Sequence, residues 1–277
     1  MKTENALDTT TKKSGTLEYV NEQKIWEFIF QEENFMAQKI IKKGYGIATF
    51  YYGDIDPDYD DGFQNGIQPL FYNKNQNYPK PNEWGAISAW ASGLSYCLDY
   101  FIQDKDIDSK RVAVFGLSRL GKAALWASAL DERFALAISG NSGHGGASLW
   151  RRKIGESLYS MNIRIPHWLC QNSQQFNHQE EKLPFDQHTL LSLIAPRPLL
   201  IASAATDHLA DPIGEFYGAK HASKIYDFLK VEGLGASKMP ELGEFINTRI
   251  GYFIRTGKHD ITEVDWDKFI LFANKYL

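Results

Sequence analysis

The stretch VFGLSRLGKAAL, residues 114–125, decides how this chain is read. It extends RVAVF (111–115), a β-branched and apolar run that suits a buried strand. Gly116, Leu117, Ser118 and Arg119 follow, and then residues that suit a helix. A serine at such a corner can hold its hydroxyl out beyond the sheet, before a helix N-terminus whose dipole favours negative charge. The same serine can also merely cap the helix. On these residues alone the two readings stand level. Gly116 and Ser118 fit G-x-S-x-G, but Leu120 takes the second glycine's place and Gly121 comes one residue late.

Outward from the corner, apolar runs and helical patterns alternate. Residues 24–43 read as an amphipathic helix stopped by Gly44, and YGIATFYY (45–52) as a buried strand. EWGAISAWASGLSYCLDYFIQD (83–104) reads as a helix, FALAISG (134–140) as a strand, and 187–194 as a short helix. RPLLIASA (197–204) and GYFIRTG (251–257) read as strands, 213–231 and the terminal VDWDKFILFANKYL as helices. The alternation predicts an α/β fold with a parallel sheet. Residues 141–186 read as irregular, looping over the top of that sheet. The polar lead-in, 1–22, is expected to be disordered, leaving one domain over 23–277.

At 43% hydrophobic and 23% charged, 277 residues suffice for one large core. A net charge of −4 argues against nucleic acid as a partner. No run of about eighteen apolar residues suggests a membrane span. The polar start MKTENALDTTTKKSG has no signal-peptide pattern. Most of the abundant aromatics are expected in the core rather than on sugar-stacking surfaces. Cys97 and Cys170 fit no metal pattern, and Cys97 reads as a small buried apolar residue. GDIDPDYDDG (53–62) alternates aspartates but lacks the sixth-position Gly and twelfth-position Glu of a calcium loop, so it reads as a solvated or helix-capping loop.

Three slots then fill together. In an α/β-hydrolase the triad follows the order Ser, acid, His, with the His after the last strand. Among seven histidines, His259 in RTGKHDIT stands there. TDHLADP, directly after PLLIASA, offers Asp207 and Asp211, and Asp207 is nearer the strand end. With Ser118 these make a candidate esterase triad: nucleophile, base and orienting acid. Arg119 offers a backbone N–H and a guanidinium for the oxyanion.

These residues resemble the glucuronoyl esterases, carbohydrate esterase family 15. The resemblance runs from about Gly44 to the C-terminus, through GYGIATFYYGDIDPD, GLSRLGKAALWA, NSGHGGASLWRR, IPHWLC, APRPLLIASAATDHLADP and GYFIRTGKHD. Its Ser-Arg-x-Gly-Lys core accounts for the late Gly121. It implies an α/β-hydrolase fold, a three-layer αβα sandwich with a mostly parallel sheet. It implies a serine esterase cleaving the ester between 4-O-methyl-glucuronate of xylan and lignin alcohols, without metal or organic cofactor; separately, a monomer is expected. By the same resemblance Ser118 is the nucleophile, His259 the base, Arg119 the oxyanion residue, and Lys122 and Glu156 contact the sugar.

Two departures stand out. Many members carry a triad Glu where this chain has Asn141, whereas others use the acid that matches Asp207. A Trp that often follows two residues after that acid is Leu209 here, which weakens the expectation of tight glucuronate specificity. Members also carry about three strands ahead of the equivalent of residue 24, where this chain offers TLEYV (16–20) as a weak candidate. The sheet is therefore expected to lack its N-terminal strands, with an exposed edge. An acetyl or methyl esterase on plant polysaccharide, and a truncated non-catalytic carbohydrate-binding homologue, remain as alternatives. Relatives act on plant wall, so a secreted or periplasmic setting is expected, although no signal is seen.

Overall fold

The computed structural model describes residues 36–277. The lead-in, TLEYV and the first part of the 24–43 run lie outside the described residues. Residues 36–42 are helical (α1), and Gly44 follows at φ 87°, its N–H donating to the Ile41 carbonyl at 2.9 Å. That is the left-handed helix end expected of a glycine.

A five-stranded sheet forms the centre, in the order β1-β2-β3-β5-β4. Its members are β1 (Ala113–Leu117), β2 (Leu136–Gly140), β3 (Leu199–Ala204), β4 (Phe245–Ile246) and β5 (Ile250–Arg255). β1, β2, β3 and β5 pair in parallel; β4 joins β5 antiparallel. The long helices are α2 (Ala86–Gln103), α3 (Arg119–Leu130), α6 (Pro212–Phe228) and α7 (Glu263–Tyr276). Two short ones are α4 (Leu158–Arg164) and α5 (Gln187–Ser192).

The period of a strand explains the layers. Along β3, Leu199 and Ile201 join one core with Leu125 of α3 and Phe216, Ala219 and Ala222 of α6. Leu200 and Ala202 point the other way, against Phe269 and Phe272 of α7. Both faces of the sheet are thus covered, giving the three-layer α/β-hydrolase architecture. A third apolar cluster lies under the connecting segments, where Trp90, Trp150, Met161 and Trp168 meet.

YGIATFYY is not a strand. Residues 45–51 carry no regular structure, Ile47 is 45% exposed, and Tyr52 opens a 3-10 turn to Asp54. A strand exists through its ladder, and the ladder of the described sheet runs β1-β2-β3-β5-β4 without this segment. β1 is bonded to β2 alone among the described strands and is only half-buried, whereas β2, β3 and β5 are buried throughout. The acidic loop also departs from expectation: Asp56 and Asp58 are buried rather than solvated. Residues 141–186 hold α4 and several 3-10 turns where an irregular loop was expected. Cys97 and Cys170 are unpaired and half-buried, so Cys97 is less enclosed than its apolar neighbours suggest. Among the described residues no helix is long and apolar enough to cross a membrane.

Candidate active site

The corner after β1 is tight because two glycines allow it. A Cβ on Gly116 would stand 2.0 Å from the Leu120 carbonyl oxygen, so strand and helix approach to backbone contact. A Cβ on Gly121 would meet Ser142, Gly116 and Gly140 at 3.0–3.1 Å. Gly121, one residue late in the motif, is therefore the close-packing glycine, while Leu120 packs on the third apolar cluster. Ser118 takes the turn at φ 58°, ψ −125°, outside the ordinary regions for a residue with a Cβ. Such a conformation costs on the order of 1–3 kcal/mol and persists because its surroundings enforce it. Its N–H donates to the Gly140 carbonyl at 2.8 Å, and its side chain makes no capping bond to α3. The capping reading of Ser118 therefore falls away.

Ser118, Asp207 and His259 follow β1, β3 and β5, all at the C-terminal edge of parallel strands. β3 and β5 are neighbours, and their pairing continues past the strands: Ala205 N–H donates to Arg255 O at 2.9 Å and Thr206 N–H to Gly257 O at 3.0 Å. This register brings His259 Nδ1 to 2.5 Å from Asp207 Oδ2. Asp207 is buried, and its Oδ1 accepts from the Ala210 N–H at 3.3 Å. His259 keeps 44% of its side chain exposed.

Asp211 is engaged elsewhere. Arg152 donates to it from Nε at 2.7 Å and from Nη2 at 3.2 Å, and the Ser148 hydroxyl lies 3.3 Å away. Of the two aspartates, Asp207 is the one in contact with the His259 imidazole. Asn141 stands at the end of β2 with Nδ2 donating to the Asp260 carbonyl at 3.4 Å, beside the His259 loop. Position 141 accordingly borders the loop that carries His259.

The His259 loop is tied down by Arg255, the last residue of β5. Its guanidinium donates to Asp265 Oδ2 at 2.7 Å and to the carbonyls of Thr256 (3.0 Å), Lys258 (3.3 Å) and Asp260 (2.5 Å). Asp265 also accepts from Thr262 N–H and hydroxyl, both at 2.8 Å, forming the capping box of α7.

The other expected residues fall close by, with partners the sequence did not disclose. The Arg119 guanidinium bonds to Asp58 and lies 5.3 Å from the Trp168 ring centroid. Lys122 is 4% exposed; its ammonium donates to the Ser142 carbonyl at 2.5 Å and faces the same ring at 5.7 Å. Burial pulls the Lys122 ammonium down to about 8, despite the carboxylates of Glu156 and Glu215. Glu156 pairs with Arg164, and its backbone carbonyl lies 2.5 Å from His144 Nδ1. Leu209 is 65% exposed and offers no ring for stacking.

Glu215, unforeseen from the sequence, is fully buried beneath the 141–148 loop. It accepts from Gly143 N–H at 2.9 Å, Ser203 hydroxyl at 2.6 Å and Ser142 hydroxyl at 3.4 Å. Burial pushes its carboxyl up to about 7. Its signal was available: 215, 219, 222 and 226 form one helical stripe with Ala219, Ala222 and Tyr226, all buried. No cluster of three or more His, Cys, Asp or Glu suited to a metal occurs among the described residues.

A family model described as glucuronyl esterase, fungi, matches residues 5–230. A carbohydrate esterase of an unknown prokaryotic organism is 52% identical over 240 residues, covering 87% of this chain and 55% of that protein. A 4-O-methyl-glucuronoyl methylesterase of Sodiomyces alcalophilus is 34% identical over 165 residues, covering 56% of this chain and 33% of that protein. The chain therefore spans about half the length of the first of these relatives and about a third of the second. Among solved structures, a promiscuous CE15 esterase from a marine bacterial metagenome superposes with a TM-score of 0.82 at 52% identity, over 88% of this chain and 61% of that one. The glucuronoyl esterase of Solibacter usitatus gives 0.84 at 47%, over 87% and 61%. Since the family match takes in the serine corner, the buried aspartate and most of the sheet between them, the chain belongs to the glucuronoyl esterase family.

Proposed function

We propose that this chain is a serine esterase acting on esters of 4-O-methyl-glucuronate in plant-wall xylan, with Ser118 as nucleophile, His259 as base and Asp207 as the orienting acid. The observation that carries this reading is the 2.5 Å contact of His259 Nδ1 with buried Asp207, on the strand edge that also displays Ser118. Asp207 holds the Nδ1–H tautomer, leaving Nε2 to take the Ser118 proton as Oγ attacks the ester carbonyl. The tetrahedral oxyanion collapses, the alcohol leaves with the proton from His259, and an acyl-enzyme remains. Water, activated by the same imidazole, releases the uronic acid. The Arg119 N–H, in the first turn of α3 where backbone donors have no intrahelical acceptor, and its guanidinium receive the oxyanion. Lys122, held by Ser142, and Glu156 contact the sugar.

Relatives named 4-O-methyl-glucuronoyl methylesterase support the uronate, and lignin alcohols are the proposed leaving groups. Exposed Leu209 favours a second reading, wider acceptance of acetyl or methyl esters, because it supplies no aromatic face to select the uronate. The chain acts as a monomer outside the cytoplasm, where its substrate is. Hydrolysis of a benzyl glucuronate ester and of an acetylated sugar, by wild type and Ser118→Ala, tests the proposal. We expect the glucuronate to be preferred and the variant to lose several orders of magnitude in kcat. Near-normal turnover by the alanine variant would sink the assignment, and preference for the acetyl ester would select the second reading.

A further inference from the structure

Asp58 lies 60 residues before the serine corner, in the loop read as a solvated acidic turn, yet its side chain is 2% exposed. Four groups converge on its carboxylate. Oδ1 accepts from the Trp168 indole Nε1 at 2.7 Å and lies 3.1 Å from His167 Nε2. Oδ2 accepts from the Tyr52 hydroxyl at 3.3 Å and from the Arg119 guanidinium. Burial alone would push the carboxyl up, but hydrogen bonds from His167 and Trp168 and the Arg119 charge outweigh it and hold it down at about 2. It is therefore a carboxylate at any working pH.

The partners are themselves fixed. The carbonyls of His167 and Trp168 accept from the first N–H groups of α2, Ala86 at 2.8 Å and Ile87 at 3.4 Å. A Cβ on Gly85 would stand 2.7 Å from both carbonyl oxygens, so the approach is as close as backbones permit. Trp168 then serves twice: its N–H aims Asp58, and its ring lies under the guanidinium that Asp58 bonds. An arginine has five N–H donors, so one spent on Asp58 leaves others for a ligand. A donor aimed in advance costs no reorganisation when charge develops, whereas a freely rotating side chain must first be ordered.

We propose that Asp58 is a positioning residue, which clamps the Arg119 guanidinium against Trp168 so that its remaining donors face the oxyanion formed at Ser118. This rests on the esterase reading above. Removing an oxyanion donor outright costs about 10²–10³ in kcat, and unclamping one that stays present costs less, about tenfold to hundredfold.

The test is a four-member cycle of wild type, Asp58→Asn, Arg119→Gln and the double variant. Benzyl glucuronate hydrolysis is measured alongside nitrogen-15 spectra of the arginine guanidinium groups. Asp58→Asn should lower kcat by about tenfold to hundredfold with KM held within about threefold, and should cost less than about twofold once Arg119 is already Gln. The resolved Nη signals of Arg119 should average in Asp58→Asn. Losses that multiply independently, or Arg119 signals unchanged by the substitution, would overturn the clamp. Trp168→Phe covers the case in which Asp58→Asn does not fold. It keeps the ring, deletes the Nε1 donor, and should give a smaller kcat loss that also disappears beside Arg119→Gln; a loss that persists there overturns the clamp. An inactive wild type whose Arg119 signals still collapse in Asp58→Asn would refute the esterase reading and leave the clamp standing.

Discussion

Glu215→Gln is the substitution whose consequence can be worked out most fully. The Glu215 carboxyl titrates near 7 in the folded protein against 4.5 for the free side chain, because burial penalises its anion. Between those values the folded state binds a proton that the unfolded chain has lost, so stability falls as pH rises. The contribution is complete below 4.5 and gone above about 7. A difference of 2.5 units corresponds to about 3 kcal/mol at 1.36 kcal/mol per unit, most of it between pH 5 and 7. Glutamine keeps the shape. Its carbonyl can accept from the Gly143 N–H and its amide can donate to the Ser203 hydroxyl. Urea denaturation of wild type and Glu215→Gln at pH 5, 6, 7 and 8 isolates this group, since every other titration is common to both proteins. The variant should gain stability relative to wild type as pH rises, by about 2–3 kcal/mol over that range. A difference that stays flat with pH would show that Glu215 is ionised throughout, and would refute the burial argument.

Asp207→Asn should lower kcat by about 10⁴, as expected when the imidazole loses its orienting acid, whereas Asp211→Asn should act through stability by freeing Arg152. Asn141→Glu should partly restore the Asp207→Asn enzyme, because position 141 borders the His259 loop. Gly116→Ala places a methyl 2.0 Å from the Leu120 carbonyl oxygen; we expect a lower melting temperature and lost turnover together, and normal melting would contradict the contact. Arg255→Met leaves Asp265 buried without its cation and should cost about 3–5 kcal/mol in denaturation, with Asp265→Asn in the same chain recovering part of it.

The strands that flank the site were legible because each is a short apolar run bounded by Gly, Pro or polar residues, and β2, β3 and β5 are buried throughout. Local pattern was enough to find β1, β2, β3 and β5, and their order placed Ser118, Asp207 and His259. YGIATFYY carries the same local signal, but a strand also needs a partner, and pairing is a property of the assembled sheet. β4, two residues long, has too little sequence to show a period. Asp58, His167 and Trp168 were out of reach for a different reason. They meet one another across separations of up to 110 residues, and an aspartate in a Gly- and Pro-containing loop looks solvated until its donors are known. Glu215 was readable in principle, as a lone acid in an apolar helical stripe, but such a stripe does not name the loop that covers it.

Arg255 links parts of the chain that are otherwise separate. One guanidinium joins the end of β5, three carbonyls of the loop that carries His259, and the carboxylate that caps α7. His259 is thereby made part of the same cooperative unit as the first turn of the C-terminal helix. An opening that frays Thr262 to Asp265 removes the acceptor that holds Arg255, and the carbonyls around His259 lose their donor at the same moment. Amide hydrogens of the loop and of that first helical turn should therefore exchange with solvent at one rate, slower than a surface loop and slower than a helix end on its own.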